Sequence, residues 1–358
     1  MKFSILLLFL SSTLMSQNIK LYVGTYTNGE SEGIYYHDFN VVTGFLTNKQ
    51  LAAEVKNPSY LTFSSNKKYL YAVSEVADFD KNKSGYVNAY EVTKNGLLKF
   101  INKVSTNGAN PCYIETNSAN NLAAIANYTG GNISIHKIKK NGKIKKAFQV
   151  IDHNIASKKA HPHFAKFFKN NLLIADLGRN FLVNYKMDTQ NKEHFLLDKT
   201  YAIKNNAGPR HFVISKNETF IYVMNELSSS IAVLKKETNS YGSIQNISTR
   251  NKKYTGKNSG AEICLSKNGQ FLYSSNRGEN SIAVFKIDTN TGMLQKIQSI
   301  ATFGNWPRNF TIAPNGNFLL VANKISNNIS VFKVNKETGK LTFFSSVESP
   351  NSTCLVFK

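Results

Sequence analysis

Residues 209 to 226 read PRHFVISKNETFIYVMNE, with an apolar run on either side of the polar segment SKNET. Short apolar runs separated by a polar turn are typical of a β-hairpin. Because the two strands of a hairpin run in opposite directions, the start of the first strand lies beside the end of the second. We therefore expect Arg210 and Glu226 to lie together at one edge of a sheet, where their charges indicate a site.

The opening of this hairpin recurs along the chain at intervals of 45 to 53 residues. A period of this length, with several short strands per unit, predicts a β-propeller. Each opening except the last is followed by a polar turn, where we expect an Asn in a left-handed conformation, and then by an apolar second strand. The six turns are centred on Asn66, Asn120, Asn170, Asn217, Asn268 and Asn315. The seven openings are NPSYLTF (57–63), NPCYIET (110–116), HPHFAKF (161–167), GPRHFVI (208–214), SGAEICL (259–265), WPRNFTI (306–312) and NSTCLVF (351–357).

A third, alternating strand such as SIAVFKI (281–287), a TG or NG turn and a fourth, more polar strand complete each unit. The first unit lacks an opening, because LYVGTYT (21–27) already has the character of a second strand. NSTCLVF at the C-terminus is an opening without a unit of its own. Lending it to the first unit closes the ring and removes an open sheet edge.

The sequence thus predicts an all-β fold, a seven-bladed β-propeller with four-stranded blades whose ring is closed by the C-terminal strand joining the first blade. Residues 17–358 are expected to form this single domain. Separate β-sandwich domains are the alternative. They explain neither the even period nor the missing first strand.

The first sixteen residues, MKFSILLLFLSSTLMS, have the organisation of a secretory signal peptide, with Lys2 before an apolar run and small residues near Ser16. The apolar run is too short to span a bilayer. We therefore expect residues 1–16 to be removed and the protein to be exported, periplasmic or secreted, without stable membrane insertion.

The formal net charge of +22 favours anionic partners in general. The lysines of the chain are scattered through turns such as KKNGKIKK (139–146). They do not form the clustered basic stripe, interleaved with aromatic residues, that is typical of a nucleic-acid-binding surface, so we expect no nucleic-acid partner. Cys112, Cys264 and Cys354 are widely spaced within apolar runs. They are typical of small core residues and not of a disulfide framework or a metal site.

In a propeller, residues just after each opening and residues at each second-strand end share one face. Charge and imidazole fall there in consecutive units: His163 in one, Arg210 and Glu226 in the next, and Arg277 in the one after. We expect these four side chains to converge on one sector of the central opening. At the same positions in other units, candidates for substrate binding are Glu75, Arg308 and Lys324.

His161 and His163 are two residues apart on a predicted strand, a spacing that raises the alternative of a metal site. No further histidine and no carboxylate cluster accompanies them in the sequence. We therefore predict no metal and no cofactor.

Six phrases together resemble one known family: YVGTYTNGESEGIY (22–35), HPHFAKF, ADLG (175–178), GPRHFVI with VMNE (223–226), SSNRGENSIAVF (274–285) and PRNFTIAPNGNFLLVAN (307–323). This is the seven-bladed lactonase family that includes propeller-type 6-phosphogluconolactonases and fungal 3-carboxy-cis,cis-muconate lactonizing enzymes. In the muconate branch the active site is a histidine, two arginines and a glutamate. The resemblance places these on His163, Arg210, Arg277 and Glu226.

We accordingly expect a metal-independent, monomeric lactonase, similar to 6-phosphogluconolactonase, that opens a small anionic sugar lactone. His163 and Glu226 are the candidates for acid and base, in either order, and Arg210 and Arg277 are the candidates for holding an anion. Family members of the pentose phosphate pathway are cytosolic, so an export signal favours a non-phosphorylated acidic lactone.

Two alternatives remain. A carboxymuconate-type cycloisomerase uses the same groups in the direction of ring closure. A non-enzymatic exported propeller of the YVTN type is compatible with LLVAN (319–323) and ISVF (329–332). A binding scaffold is expected to carry similar residues at equivalent positions of each unit. Here those residues differ between units, which favours an enzyme.

Overall fold

The computed structural model describes residues 18–79, 83–188, 190, 194–204 and 206–358. These residues form 28 strands, assembled into seven four-stranded antiparallel sheets. The seven-bladed β-propeller is therefore confirmed. The predicted signal peptide, residues 1–16, lies outside the described residues. Within the described part of the chain, no helix is long and apolar enough to cross a membrane.

The strands of each blade are given from the central channel outward. Blade 1 consists of β28 (Ser352–Phe357), β1 (Asn18–Thr25), β2 (Gly33–Asn40) and β3 (Leu46–Glu54). Blade 2 consists of β4 (Leu61–Phe63), β5 (Tyr69–Phe79), β6 (Ser84–Val92) and β7 (Leu98–Ser105). Blade 3 consists of β8 (Pro111–Thr116), β9 (Leu122–Asn127), β10 (Asn132–Ile138) and β11 (Ile144–Asp152). Blade 4 consists of β12 (Pro162–Phe168), β13 (Asn171–Asp176), β14 (Phe181–Met187) and β15 (Phe195–Ala202).

The remaining three blades follow the same order. Blade 5 consists of β16 (Pro209–Ile214), β17 (Phe220–Asn225), β18 (Ser230–Lys236) and β19 (Tyr241–Ser248). Blade 6 consists of β20 (Ser259–Leu265), β21 (Phe271–Arg277), β22 (Ser281–Ile287) and β23 (Leu294–Ala301). Blade 7 consists of β24 (Pro307–Ile312), β25 (Phe318–Asn323), β26 (Asn328–Val334) and β27 (Leu341–Glu348).

Ring closure depends on β28, which pairs antiparallel with β1, with Leu21 opposite Phe357 and Gly24 opposite Cys354. The hydroxyl of Thr353 donates to the carbonyl oxygens of Gly24 and Ser59, so the closing strand also contacts blade 2. The first and last parts of the chain thus complete one sheet, and the prediction from NSTCLVF is confirmed.

The apolar core lies between the faces of neighbouring blades. Tyr71 of blade 2, for example, packs in one cluster with Ile114 of blade 3, and Leu320 of blade 7 packs in another with Leu21 and Leu355 of blade 1. Because every blade has a neighbour on each face, the second strands are buried on both sides, and β9, β17 and β25 are buried throughout. This explains why these strands are continuous apolar runs in the sequence instead of alternating ones.

The turn between the first two strands of a blade differs from expectation in one detail. In blade 5 the left-handed residue is Glu218, with φ of 60°, and not Asn217. The side-chain oxygen of Asn217 instead accepts a hydrogen bond from the backbone N–H of Thr219 at 3.2 Å. An Asn that folds back in this way leaves the left-handed position to its neighbour. Only in blade 3 does the predicted residue, Asn120, take the left-handed conformation itself; elsewhere it is Lys67, Lys169, Gly269 or Gly316.

We predict that deletion of residues 351–358 unfolds or oligomerises the protein. Without β28, β1 has an open edge, and burial of Leu355 alone stabilises a fold by about 1.5–3 kcal/mol. Thermal denaturation and light scattering after size exclusion measure both effects, with a deletion of Lys358 alone as the control. A monomeric truncation with an unchanged melting temperature would contradict strand-lending closure.

Candidate active site

The inner strands of six blades carry a β-bulge near their first residue. In blade 5, Pro209 pairs with Asn225 and His211 pairs with Met224, so Arg210 is an extra residue without a partner of its own. Such a bulge interrupts the alternation of side chains along a strand. Arg210 and His211 consequently lie on the same side, with 3.4 Å between Arg210 Nη1 and His211 Nε2. Blade 6 has a similar bulge between Gly260 and Ile263. The corresponding extra residues of blades 1, 3, 4 and 7 are Thr353, Cys112, His163 and Arg308.

Glu226 links two neighbouring blades through its carboxylate. Its Oε2 lies 3.0 Å from Arg210 Nε and 2.9 Å from Arg277 Nη2. Each guanidinium group is also held by a backbone carbonyl of blade 6, since Arg210 Nη1 donates to Ala261 O at 2.6 Å and Arg277 Nη2 donates to Gly260 O at 2.7 Å. We call Arg210, Glu226 and Arg277 the arginine clamp.

The clamp keeps its carboxylate ionised. Burial alone would raise the pKa of Glu226, but the positive charges of Arg277 and Arg210 outweigh burial and lower that pKa below its ordinary value. Arg210 is 2 % exposed and Arg277 is 5 % exposed. Two buried cations and one anion leave the clamp with a net positive charge beside the channel.

His163 lies in the adjacent blade, next to the clamp. Its Nδ1 is 3.2 Å from Nε2 of His211, and its ring meets the edge of the Tyr128 ring with 5.7 Å between centroids. Burial, followed by the charge of Arg210 and the presence of His211, holds the pKa of His163 well below its ordinary value. His163 is therefore a neutral imidazole near pH 7, able to accept a proton.

These side chains enclose a cavity of about 200 Å³ at the mouth of the channel. His163, Glu226 and Arg277 form one side of its lining, and Arg210 is joined to that side through its ion pair with Glu226. The remaining lining residues are Tyr26, Glu75, Cys112, Tyr128 and Arg308. The structure thus brings together the four residues predicted as catalytic.

A second charged group contains the three residues predicted to bind substrate. Arg308 Nη2 lies 3.8 Å from Glu75 Oε2, and that same oxygen accepts a hydrogen bond from the hydroxyl of Tyr26 at 2.7 Å. The Tyr26 ring lies beneath the guanidinium of Arg308 and the ammonium of Lys324, at 5.4 and 4.8 Å. Arg308 and Glu75 line the cavity, whereas Lys324 contacts it through Tyr26.

Trp306 contributes an unusual backbone conformation to the site. Its φ of 66° is left-handed, whereas the equivalent openings of blades 1, 2, 3 and 5 place Asn or Gly in this conformation. The indole ring lies against the Arg277 guanidinium, 5.4 Å from the ring centroid. A bulky residue in a left-handed conformation costs about 1–3 kcal/mol, and a cation–π contact returns about 0.5–2 kcal/mol. The free energy that the backbone strain costs is therefore similar to the free energy gained from the cation–π contact with Arg277.

Sequence reasoning missed a complete ring of side chains in the channel, one residue beyond the bulge positions. Strict alternation directs these side chains away from the channel, but the bulges turn them into it. Aligning the seven openings would have exposed the signal, since His211 and Glu262 are polar residues within apolar strands. This ring, which we call the inner ring, consists of Tyr60, Tyr113, Phe164, His211, Glu262, Asn309 and Cys354.

The first histidine of the HPH phrase has a different environment from the second. His161 Nδ1 lies 2.9 Å from the carbonyl oxygen of Tyr128, and its ring stacks on Tyr128 at 4.6 Å. Among the described residues, no group of three or more His, Cys, Asp or Glu is arranged to hold a metal ion. The His161–His163 spacing therefore does not form part of such a group in the described chain.

Similarity to known proteins covers nearly the whole propeller. Residues 20–357 match the family described as Lactonase, 7-bladed beta-propeller. The 6-phosphogluconolactonase of Bacillus subtilis is 33% identical over 304 residues, covering 82% of this chain and 84% of that protein. The 6-phosphogluconolactonase of Formosa agariphila is 36% identical over 311 residues, covering 82% of this chain and 86% of that protein.

A solved structure agrees with these sequence matches. The periplasmic gluconolactonase of Pseudomonas aeruginosa superposes with a TM-score of 0.88 at 27% identity, covering 95% of this chain and 99% of that one. The chain therefore belongs to the lactonase family of seven-bladed β-propellers, which confirms the prediction of a lactonase-type enzyme.

Proposed function

We propose that this protein is an exported lactonase that hydrolyses a small, non-phosphorylated, acidic sugar lactone. The observation that carries this proposal is the arginine clamp beside His163. It combines a neutral imidazole, which accepts a proton, with guanidinium groups, which stabilise negative charge. Opening a lactone with water requires both.

The cavity favours a small anionic ligand. Its volume of about 200 Å³ is below the range of about 300–1,000 Å³ typical of sites for drug-sized molecules. Arg277 and Arg308 carry the positive charges of its lining, and each lies beside one of the lining carboxylates, Glu226 and Glu75. A planar guanidinium group binds a carboxylate through two parallel hydrogen bonds. A lactone ring with one carboxylate substituent therefore fits both the size and the charge of the site.

We assign the first proton transfer to His163. It takes a proton from water, and the resulting hydroxide attacks the lactone carbonyl carbon. Arg277, whose positively charged side chain lines the cavity, stabilises the oxyanion. The ring C–O bond then breaks, and His163 returns its proton to the departing alkoxide. Glu226, ionised between two arginines, holds their guanidinium groups in place.

The predicted signal peptide indicates where in the cell the reaction takes place. The secretory signal predicted for residues 1–16 supports a location outside the cytosol, where a phosphorylated sugar lactone is seldom available. The similar Pseudomonas aeruginosa protein is a periplasmic gluconolactonase, and this supports a periplasmic or secreted role in carbohydrate metabolism. Because one chain supplies all the residues of the site, we propose that the monomer is active.

Replacing Glu226 by Gln or His163 by Ala is expected to lower kcat by ~10²-fold or more while the protein stays folded. The glutamine would no longer balance two guanidinium charges, and the alanine would no longer accept a proton. Steady-state hydrolysis rates and circular dichroism measure the two effects. Glu218→Gln, at the opposite end of the same hairpin, is the matched control, because it loses only an ion pair with the exposed Lys169 and should leave kcat unchanged. Wild-type rates in either site variant would exclude that residue from the chemistry.

The pH dependence follows from the lowered pKa of His163, which buried surroundings and Arg210 impose. A base acts only when deprotonated, so a lower pKa keeps the free enzyme competent to a lower pH. We expect kcat/KM to be constant from about pH 6.5 to 8 and to fall only at more acidic pH. Initial rates across this range and down to about pH 4.5, corrected for spontaneous hydrolysis, provide the measurement. A midpoint at about pH 7 or above on the acid side would contradict this assignment.

Substrate choice is tested with a panel of aldonolactones, glucarolactone, 6-phosphogluconolactone and carboxymuconolactone. We expect turnover of glucarolactone, with kcat/KM lowered in Arg277→Lys because an ammonium group does not reproduce the two-point hydrogen bonding of a guanidinium group. Arg250→Lys, an exposed arginine outside the site, serves as control. Activity only on the 6-phosphorylated lactone would instead support a cytosolic 6-phosphogluconolactonase. So would the finding that the protein remains in the cytosol with residues 1–16 still attached. Turnover of carboxymuconolactone alone would favour the cycloisomerase alternative.

A further inference from the structure

The inner ring divides into an aromatic half and a hydrogen-bonded half. The rings of Tyr60, Tyr113 and Phe164 pack in sequence in tilted contacts, with 4.4 and 4.3 Å between centroids. From His211 onward the contacts are polar. Nδ1 of His211 lies 2.8 Å from Glu262 Oε1, and the side-chain amide of Asn309 donates to Glu262 Oε2. A histidine and a carboxylate are thus buried together directly beneath His163.

The hydrogen bonds around Glu262 suit an ionised carboxylate. Oε1 accepts from the backbone N–H of Ile263 at 3.0 Å and faces His211, while Oε2 accepts from Asn309. The amide orientation of Asn309 is fixed in turn, because its Oδ1 accepts from the backbone N–H of Leu355 at 2.9 Å. Burial would raise the pKa of Glu262, but His211, Arg210 and the Ile263 N–H lower it further than burial raises it.

An ionised carboxylate determines which nitrogen of His211 carries the proton. Glu262 only accepts hydrogen bonds, so His211 must donate from Nδ1. Burial lowers the pKa of His211 despite the attraction of Glu262, and the ring is neutral. Its Nε2 is therefore an acceptor. Two groups lie close enough to donate to it, Nδ1 of His163 at 3.2 Å and Nη1 of Arg210 at 3.4 Å.

We propose that Glu262 and His211 are positioning residues that hold His163 in the tautomer with Nδ1 protonated and Nε2 free to accept a proton. This inference rests on the proposed function in one respect, that His163 is the base. A histidine oriented by a second group that is itself hydrogen-bonded to a carboxylate follows the logic of catalytic triads, extended here by one imidazole. Neither Glu262 nor His211 lines the cavity. We call the three residues Glu262, His211 and His163 the relay.

The relay also stabilises the charged intermediate. When His163 Nε2 takes a proton from water, the ring becomes a cation whose Nδ1–H donates to His211 Nε2, and the negative charge of Glu262 lies beyond. No proton needs to leave His211, and the proton on His163 Nε2 passes to the alkoxide when the lactone C–O bond breaks. The charged groups that oppose this cation are Arg210 and Arg308, while Glu226 on the cavity lining favours it.

Histidine tautomers provide a test that needs no substrate. In long-range ¹H–¹⁵N correlation spectra of the ¹⁵N-histidine-labelled protein near neutral pH, protonated and unprotonated ring nitrogens resonate separately. We expect protonated Nδ1 and unprotonated Nε2 for both His163 and His211, assigned from spectra of His163→Ala and His211→Asn. A proton on Nε2 of either ring would overturn the proposal, whatever lactone the enzyme hydrolyses.

Kinetics of Glu262→Gln provide the second test. Loss of the carboxylate removes both the tautomer control and the stabilising charge, so kcat should fall roughly 10²-fold or more with little change in KM. Without the negative charge of Glu262 the pKa of His163 should fall further, so the decrease of kcat/KM on the acid side (the acid limb) should move to lower pH. A merely structural role would not produce this shift. Glu262→Asp, which keeps a carboxylate, should recover part of the loss.

Tyr60→Phe is the matched control, because it removes a hydroxyl from the inner ring but no hydrogen bond of the relay and should leave the position of the acid limb unchanged. An unaltered kcat in Glu262→Gln would refute the relay. The relay would also be refuted if Glu262→Asp and Tyr60→Phe lowered kcat as much as Glu262→Gln does. Should Glu262→Gln fail to fold, the tautomers of the wild-type protein decide the question. If the tautomers are as expected but no lactone is turned over, the relay stands and the proposed function fails.

Discussion

The pairing of β28 with β1 is the constraint on which the rest of the molecule depends. It makes a closed ring from a chain whose first blade lacks an inner strand, and it fixes the position of every blade relative to the channel. Leu355, in the closing strand, donates its backbone N–H to Asn309, which in turn orients Glu262. The closing strand is therefore connected to the site by a series of hydrogen bonds as well as by packing.

Within that ring, the β-bulges convert a regular scaffold into a chemically varied surface. Each bulge places two successive side chains toward the channel, and in blades 3, 4 and 7 the first of the two lines the cavity. In blade 5 these are Arg210, part of the arginine clamp, and His211, part of the inner ring. Two layers of function thus arise from one irregularity in strand register, and the lower layer determines the state of the upper one.

The blades and the meeting of Arg210 with Glu226 can be predicted from the sequence, because each follows from a regular feature of β-structure. The even spacing of the openings predicts the blades, and the antiparallel hairpin predicts that Arg210 meets Glu226. The inner ring did not follow, because strict alternation, applied to a strand that contains a bulge, assigns His211 and Glu262 to the wrong side. The left-handed Trp306 was equally unexpected, since Asn and Gly fill that position in other blades.

The central claim is that a neutral histidine and an arginine clamp act together on a small anionic lactone. The most direct measurement is a crystal structure of the protein bound to glucarate, the ring-opened product of glucarolactone. The account predicts one carboxylate within hydrogen-bond distance of Arg277 and His163, and the other near Arg308. Glucarate bound away from this cavity, or contacting neither His163 nor Arg277, would contradict it.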